Sequence, residues 1–286
     1  MTRNLLITAI ILCSMGLSHA GGGSKDDSFD NTGQVFGEGE PVNVQSATVQ
    51  TGETASAPIT LTLPSPLKGE GKESASTKIE DLMLIAAVIM DDLISVKKTL
   101  KNGADPDYRA DDERTPLTIA AIKGNQDIAN TLIAHGADVN KKGRYNHTPL
   151  IAASINDYPD IIKLLLGKGA DSSIKADNGL TALISAVHAG SPASVEVLLT
   201  GKTDTNLASS NNMTPLMHAA RRGNVPIIKL LITIGKADMF LKNSKGKTAL
   251  DLAVEWGRAD ASEFLAKAMA EKIAAQKGTI PGGYQY

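Results

Sequence analysis

The chain has 286 residues, with 29 Lys and Arg against 31 Asp and Glu and a formal net charge of −2. Bulk charge excludes a strongly basic nucleic-acid binder, and a single cysteine, Cys13, excludes a disulfide framework and a cysteine-rich zinc site. Hydrophobic residues make up 42% and aromatic residues only 3%, which points away from sandwiches and barrels built on large side chains.

Residues 1–20 read as an export signal. Met1-Thr2-Arg3-Asn4 is a short positive head, Leu5 to Leu17 is uncharged and mostly apolar, and Ser18-His19-Ala20 is a small-x-small cleavage pattern. The apolar run is thirteen residues, short of the roughly 20 that span a bilayer. Lipidation at Cys13 is the rival, but Leu12 before it is large where lipoprotein cleavage needs a small residue. Removal after Ala20 leaves a chain without cysteine or transmembrane segment.

Residues 21–78 carry four Lys against eight acids and are rich in Gly, Ser and Thr. They lack helical periodicity and cannot bury enough apolar surface to offset their ordering entropy. A disordered linker is expected. Within it Ile59-Thr60-Leu61-Thr62-Leu63 alternates with period two and stops at Pro64 and Pro66, a pattern suited to a strand.

From residue 79 the chain repeats. Thr115-Pro116-Leu117, Thr148-Pro149-Leu150, Thr181-Ala182-Leu183, Thr214-Pro215-Leu216 and Thr248-Ala249-Leu250 recur at intervals of 33, 33, 33 and 34 residues. Thr caps a helix, and Pro fits the first helical position. Small pairs follow (Ala120-Ala121, Ala153-Ser154, Ala219-Ala220) and let helices approach closely. Nine residues after each Thr stands Gly124, Asp157, Gly190, Gly223 or Gly257, residues that tolerate a positive φ between two helices. Apolar pairs such as Leu132-Ile133 and Leu165-Leu166 supply the second helix's buried face. Gly136-Ala137-Asp138 and Gly169-Ala170-Asp171 close the unit.

These units resemble ankyrin repeats. The resemblance implies an all-α solenoid of about six helix-turn-helix units with projecting β-turns, preceded by the tether. The repeat domain is expected over 79–278, with units near 79–110, 111–143, 144–176, 177–209, 210–243 and 244–278 and a flexible tail at 279–286. The first unit lacks Thr-Pro-Leu but keeps Asp91-Asp92-Leu93 and Gly103-Ala104-Asp105. Lys202 replaces the closing Gly of the fourth, Lys236 is an extra residue in the fifth, and the sixth runs on as a longer terminal helix. A modified last unit is what a solenoid cap requires. Leu82 to Met90 is apolar without a break, although an outer cap face should be polar. The run is therefore covered by the tether, buried inside the first helix pair, or used as a docking patch through which a dimer forms; otherwise a monomer is expected.

Catalytic constellations are missing. Gly201-Lys202-Thr203 and Gly246-Lys247-Thr248 echo the end of a phosphate loop, but Glu196 and Leu241 stand where its first Gly is needed. No histidine pair sits at metal-ligand spacing and no Gly-x-Ser-x-Gly occurs. Neither catalytic residues nor a cofactor or metal is expected.

The resemblance implies a protein partner, bound on a concave face of finger turns and inner helices. Thirty such positions, read by their offset from each Thr, hold eleven Lys or Arg and four acids. The candidate contacts are Arg109, Arg114, Lys123, Arg144, Tyr145, His147, Leu180, His188, Met213, Arg221, Arg222, Lys245, Lys247 and Trp256. Basic charge concentrated there suits an acidic protein surface, and Arg, Tyr and Trp are enriched in binding hot spots. The expected function is a non-enzymatic exported adaptor, stabiliser or inhibitor of bacterial type, periplasmic or secreted. The alternatives are an immunity protein against an exported toxin, a scaffold for a periplasmic stress-response enzyme, and a secreted effector.

Overall fold

The computed structural model describes residues 75–110 and 112–277. The expected export signal, most of the linker with its alternating Ile59–Leu63, and the tail at 279–286 lie outside the described residues. Those described fall in one compact unit, Glu73–Tyr286, and contain helices and turns but no strand.

Among the described residues, twelve α-helices form six antiparallel pairs. The inner helices are α1 (Ala75–Ile89), α3 (Pro116–Lys123), α5 (Pro149–Ile155), α7 (Ala182–Ala189), α9 (Pro215–Arg222) and α11 (Ala249–Glu255). The outer helices are α2 (Leu93–Lys101), α4 (Gln126–Ala134), α6 (Pro159–Gly167), α8 (Pro192–Thr200), α10 (Val225–Thr233) and α12 (Ala259–Lys277). Inner helices stack on inner and outer on outer, each unit touching its neighbours. α1 takes in Ala75–Lys78, which the composition assigns to the linker.

Each repeated residue does the work its chemistry suggests. Thr115, Thr148, Thr181, Thr214 and Thr248 cap α3, α5, α7, α9 and α11. Their Oγ1 atoms accept bonds from the N–H three residues on, at 3.2–3.3 Å. Gly124 ends α3 with φ 77°. A Cβ there would lie 2.5 Å from the Tyr158 ring, so only glycine satisfies both the backbone and the packing. Asp91 and Asp157 hold the corresponding left-handed positions of the first and third units.

Leu132, Leu165, Leu198, Leu231 and Leu265, one per outer helix from the second unit on, are all fully buried. They belong to one core cluster that runs from the second unit to the sixth. Polar links run beside it. The Asp138 N–H donates to Asp107 Oδ1 at 3.0 Å, that of Asp171 to Asn140 Oδ1 at 2.8 Å, and that of Asp238 to Asn206 Oδ1 at 2.9 Å. Each ties a unit-closing turn to the next.

Lys202, at the closing position of the fourth unit, adopts φ 63°, a conformation that disfavours a side chain with Cβ. Gly201 beside it cannot easily exchange places, because a Cβ there would lie 2.7 Å from Leu166 Cδ1. Lys202→Gly is expected to stabilise the domain by about 0.5–1 kcal/mol, read as a higher urea midpoint with an unchanged m-value.

The ends differ. Leu84, Ile85, Ala87 and Val88 of the apolar N-terminal run are buried, whereas Leu82, Ile89 and Met90 are exposed. Burial inside the first helix pair therefore accounts for half of that run. At the other end α12 runs for 19 residues and buries Ala261 and Leu265.

Candidate protein-binding face

The segments between units form five finger turns. Ala110, Gly143, Ala176, Ser209 and Asn243 each donate their N–H to the carbonyl four residues on, at 2.9–3.0 Å. The fourth residue of each turn, Glu113, Asn146, Gly179, Asn212 or Gly246, is left-handed. Adjacent fingers are laced together. Arg109 Nη2 donates to the Lys142 carbonyl at 2.8 Å and Lys175 Nζ to the Ala208 carbonyl at 2.6 Å. The Asp177 N–H donates to the Tyr145 carbonyl at 3.1 Å, and Asn146 Nδ2 bonds Asp177 Oδ1.

This lacing sorts the candidate residues. Arg109 is committed to register between fingers. Arg114 is paired with Asp112, Lys123 with Asp91 at 3.2 Å and Lys247 with Glu255 at 2.6 Å. Met213 is 7% exposed, and its sulfur accepts from Asn243 Nδ2 at 3.4 Å. It is a core residue rather than a surface contact, because an apolar side chain just before the capping Thr turns into the stack. Leu180 at the matching position of the fourth unit is half-buried, as is His147.

Two exposed groups remain. In the third finger Tyr145 is 54% exposed and holds φ 57°, a strained conformation for an aromatic residue. The Arg144 guanidinium sits 4.7 Å from its ring centroid, and His147 meets the ring edge-on at 6.2 Å. Burial lowers the His147 pKa against the opposing pull of Asp177. Towards the C-terminal end, Arg221 lies over the Trp256 ring at 5.7 Å, with Trp256 49% exposed. Arg222 is exposed beside it. Burial, followed by the like charge of Arg222, lowers the Arg221 pKa. Lys245 is exposed at the last finger. Among the described residues, Arg144, Arg221, Arg222 and Lys245 have no carboxylate at ion-pair distance.

A histidine pair lies under this second group. His188 Nε2 and His218 Nδ1 are 2.9 Å apart, and His218 Nε2 is 3.3 Å from Ser209 Oγ, which in turn donates to the Met213 carbonyl at 3.3 Å. One assignment satisfies the chain: His188 donates to His218, His218 to Ser209, and Ser209 to the backbone. The 2.9 Å contact excludes protonation of both rings at once, because each would then present an N–H to the other. Burial, with Arg222 and Arg221, pushes His188 down to about 4; burial, then His188 and the same arginines, pushes His218 down to about 3. His188 is therefore a brace between α7 and α9 as well as a half-exposed surface group. Sequence spacing hides this pair. The two residues are 30 apart, one helical turn less than the repeat, and meet only when consecutive inner helices stack.

Among the described residues no cluster of three or more His, Cys, Asp or Glu could hold a metal ion, and no described helix is long and apolar enough to cross a membrane. A concavity of about 720 Å³ lies at the C-terminal end between α11 and α12, lined by Leu250, Val254, Glu255 and Glu263 among others. It is remote in sequence from the third finger and is acidic where the face is basic.

The family model for ankyrin repeats (3 copies) matches residues 82–176, 144–208, 168–236 and 183–276. No curated protein matches the chain. Overlapping matches across most of the chain, on twelve helices in six stacked pairs with capped finger turns, make this chain a member of the ankyrin-repeat family.

Proposed function

We propose that this chain, whose ankyrin repeats are modules of protein–protein interaction, is an exported, non-enzymatic adaptor or inhibitor that receives an acidic protein surface on its fingers and inner helices. Arg144 with Tyr145 forms one anchor, and Arg221 and Arg222 with Trp256 the other. The observation that carries this reading is the distribution of countercharge. Among the candidate cations, Arg114, Lys123 and Lys247 are neutralised within the chain, while Arg144, Arg221, Arg222 and Lys245 have no carboxylate at ion-pair distance among the described residues. Cations held on aromatic rings are desolvated on one side and preorganised, which favours their pairing with carboxylates supplied from outside. The strain at Tyr145 points the same way, because strained backbone persists where function demands a fixed side-chain position. Export rests on residues 1–20, and mass analysis of the protein from the cell envelope should find a chain that begins at Gly21.

The direct test is affinity capture from the cell envelope at low and high salt, beside a Tyr145→Ala, Arg221→Ala, Trp256→Ala variant. One acidic partner is expected, weakened by salt and bound at least ~100-fold less tightly by the variant, since each true hot spot contributes roughly 2 kcal/mol or more. Undiminished binding by the variant would remove this face from consideration.

A further inference from the structure

The hydrogen-bond chain beneath Arg221 and Trp256 has one open end. Ser209 donates to the Met213 carbonyl, His218 Nε2 to Ser209, and His188 Nε2 to His218 Nδ1. Every hydrogen of the chain is thereby committed, and the remaining ring nitrogen, His188 Nδ1, is left as an acceptor. Among the described residues it has no hydrogen-bond partner. His218 is buried and His188 is half-buried, so the open nitrogen belongs to the ring that meets solvent. A proton added there reverses no donor of the chain, because the His188 Nε2–H still faces an unprotonated His218 Nδ1. The contact that forbids two protons accommodates one.

The same ring lies among the unpaired cations of the second anchor. α7 packs on α5, α8 and α9. α9 presents His218, Arg221 and Arg222, α5 has no ionisable side chain, and α8 has only Glu196, which is exposed. The acids of the adjoining turns are engaged, Asp157 by Ser194 Oγ at 2.6 Å and Asp177 by Asn146. Burial first, then Arg222 and Arg221, hold the ring neutral. We propose that Arg221, Arg222 and His188 form one carboxylate-binding subsite that takes up a proton from solvent together with its ligand. Neighbouring Asp or Glu side chains of the partner cancel the two arginine charges, and His188, protonated at Nδ1, donates a third hydrogen bond to the same acidic group. The subsite rests on the anchor proposed above and adds to it the ligand's chemistry and a dependence on pH. An opposite charge nearby favours the imidazolium, and linkage makes the effect reciprocal: a ligand that raises proton affinity is bound more tightly as protons are supplied. The gain is absent above the histidine's value in the complex and appears as pH falls through it. His188 stands at about 4 in the free chain. Restored towards the ordinary 6.5, it is expected to tighten binding about fivefold between pH 7.5 and pH 5.5. Arginines alone predict the opposite sign, since carboxylates of the ligand begin to protonate over the same interval.

The test uses the full chain with a hexaglutamate peptide as probe, at constant ionic strength. The readout is the fluorescence of Trp256, the single tryptophan, over whose ring Arg221 lies. The parent chain, checked as folded at both pH values by circular dichroism, should bind about fivefold more tightly at pH 5.5 than at pH 7.5. In His188→Gln, whose amide can still donate to His218, affinity should stay level or weaken. The same pH dependence in parent and variant would overturn the proton-linked subsite and leave the anchor standing. A Trp256 signal that ignores the peptide at both pH values would remove the anchor, and the subsite with it. Ring-carbon NMR gives a second measurement on the parent chain alone. Saturating peptide should raise the titration midpoint of His188 by at least about one unit and leave that of the exposed His135, at the end of α4, where it was. An equal rise at both, or none at His188, would overturn the proposal.

Discussion

Leu165→Ala is expected to destabilise the repeat domain by about 3–5 kcal/mol, the upper part of the range for truncating a buried leucine. Leu165 is fully buried in α6, with the equally buried Leu132 and Leu198 at the same position of the units on either side. A cavity there weakens two unit boundaries at once, and the helices cannot collapse into it without losing the stacking of their other residues. In a solenoid each boundary contributes its own coupling energy. Thermal unfolding followed by circular dichroism should show a midpoint lower by about 10 °C, and amide exchange should rise most in the third unit and its neighbours. A loss below about 1 kcal/mol would mean that these leucines are not part of the continuous core described above.

The second large effect is acid sensitivity. His188 and His218 are neutral in the folded protein, held down to about 4 and about 3, whereas an unfolded histidine titrates near 6.5. Below 6.5 the unfolded chain therefore binds more protons, and stability falls with falling pH until the folded values are reached. Between pH 7 and pH 5 the pair is expected to remove about 2–4 kcal/mol, and carboxylates with ordinary or lowered values scarcely titrate in that interval. The physical cause is double. A protonated His188 would stand beside Arg221 and Arg222, and two protonated rings would oppose N–H to N–H across a 2.9 Å contact. The measurement is urea unfolding at pH 7 and pH 5. His188→Ile with His218→Leu, the residues found at the matching positions Ile122 and Leu252, should flatten the dependence. A parent protein equally stable at both values would contradict the neutral pair.

Much of this molecule is legible in one dimension. A solenoid makes contacts only between neighbours, so a 33-residue period in Thr, Ala, Gly and Leu reports both the helices and what each one touches. The capping threonines, the left-handed turn after each inner helix, the buried outer-helix leucines and the terminal helix all follow from local rules that act within one or two units. Asp157 and Lys202 show how strong the period is: non-glycine residues accept positive φ because the stack on both sides fixes the turn.

The binding face was legible only as a set of positions. Offset from each Thr identifies the finger and inner-helix sites, but not whether a side chain there is free. Met213 turned inward because it is apolar and its turn abuts the core, while Arg114 at the corresponding place turned out to meet Asp112. Lys123 is neutralised by Asp91, 32 residues away and outside the thirty positions read from the Thr offsets. His188 and His218 are brought together by a spacing that is neither the repeat nor a helical turn, but the difference of the two.

The amino-acid sequence determined the repeat, its caps and turns, and the family, because short-range backbone and packing preferences recur unit by unit. The tertiary structure decided which cations keep their charge available, which histidines are buried as a neutral pair, and which end of the stack is left apolar. Each of those depends on the distance between side chains of different units, and on water being excluded between them, which only the assembled stack fixes.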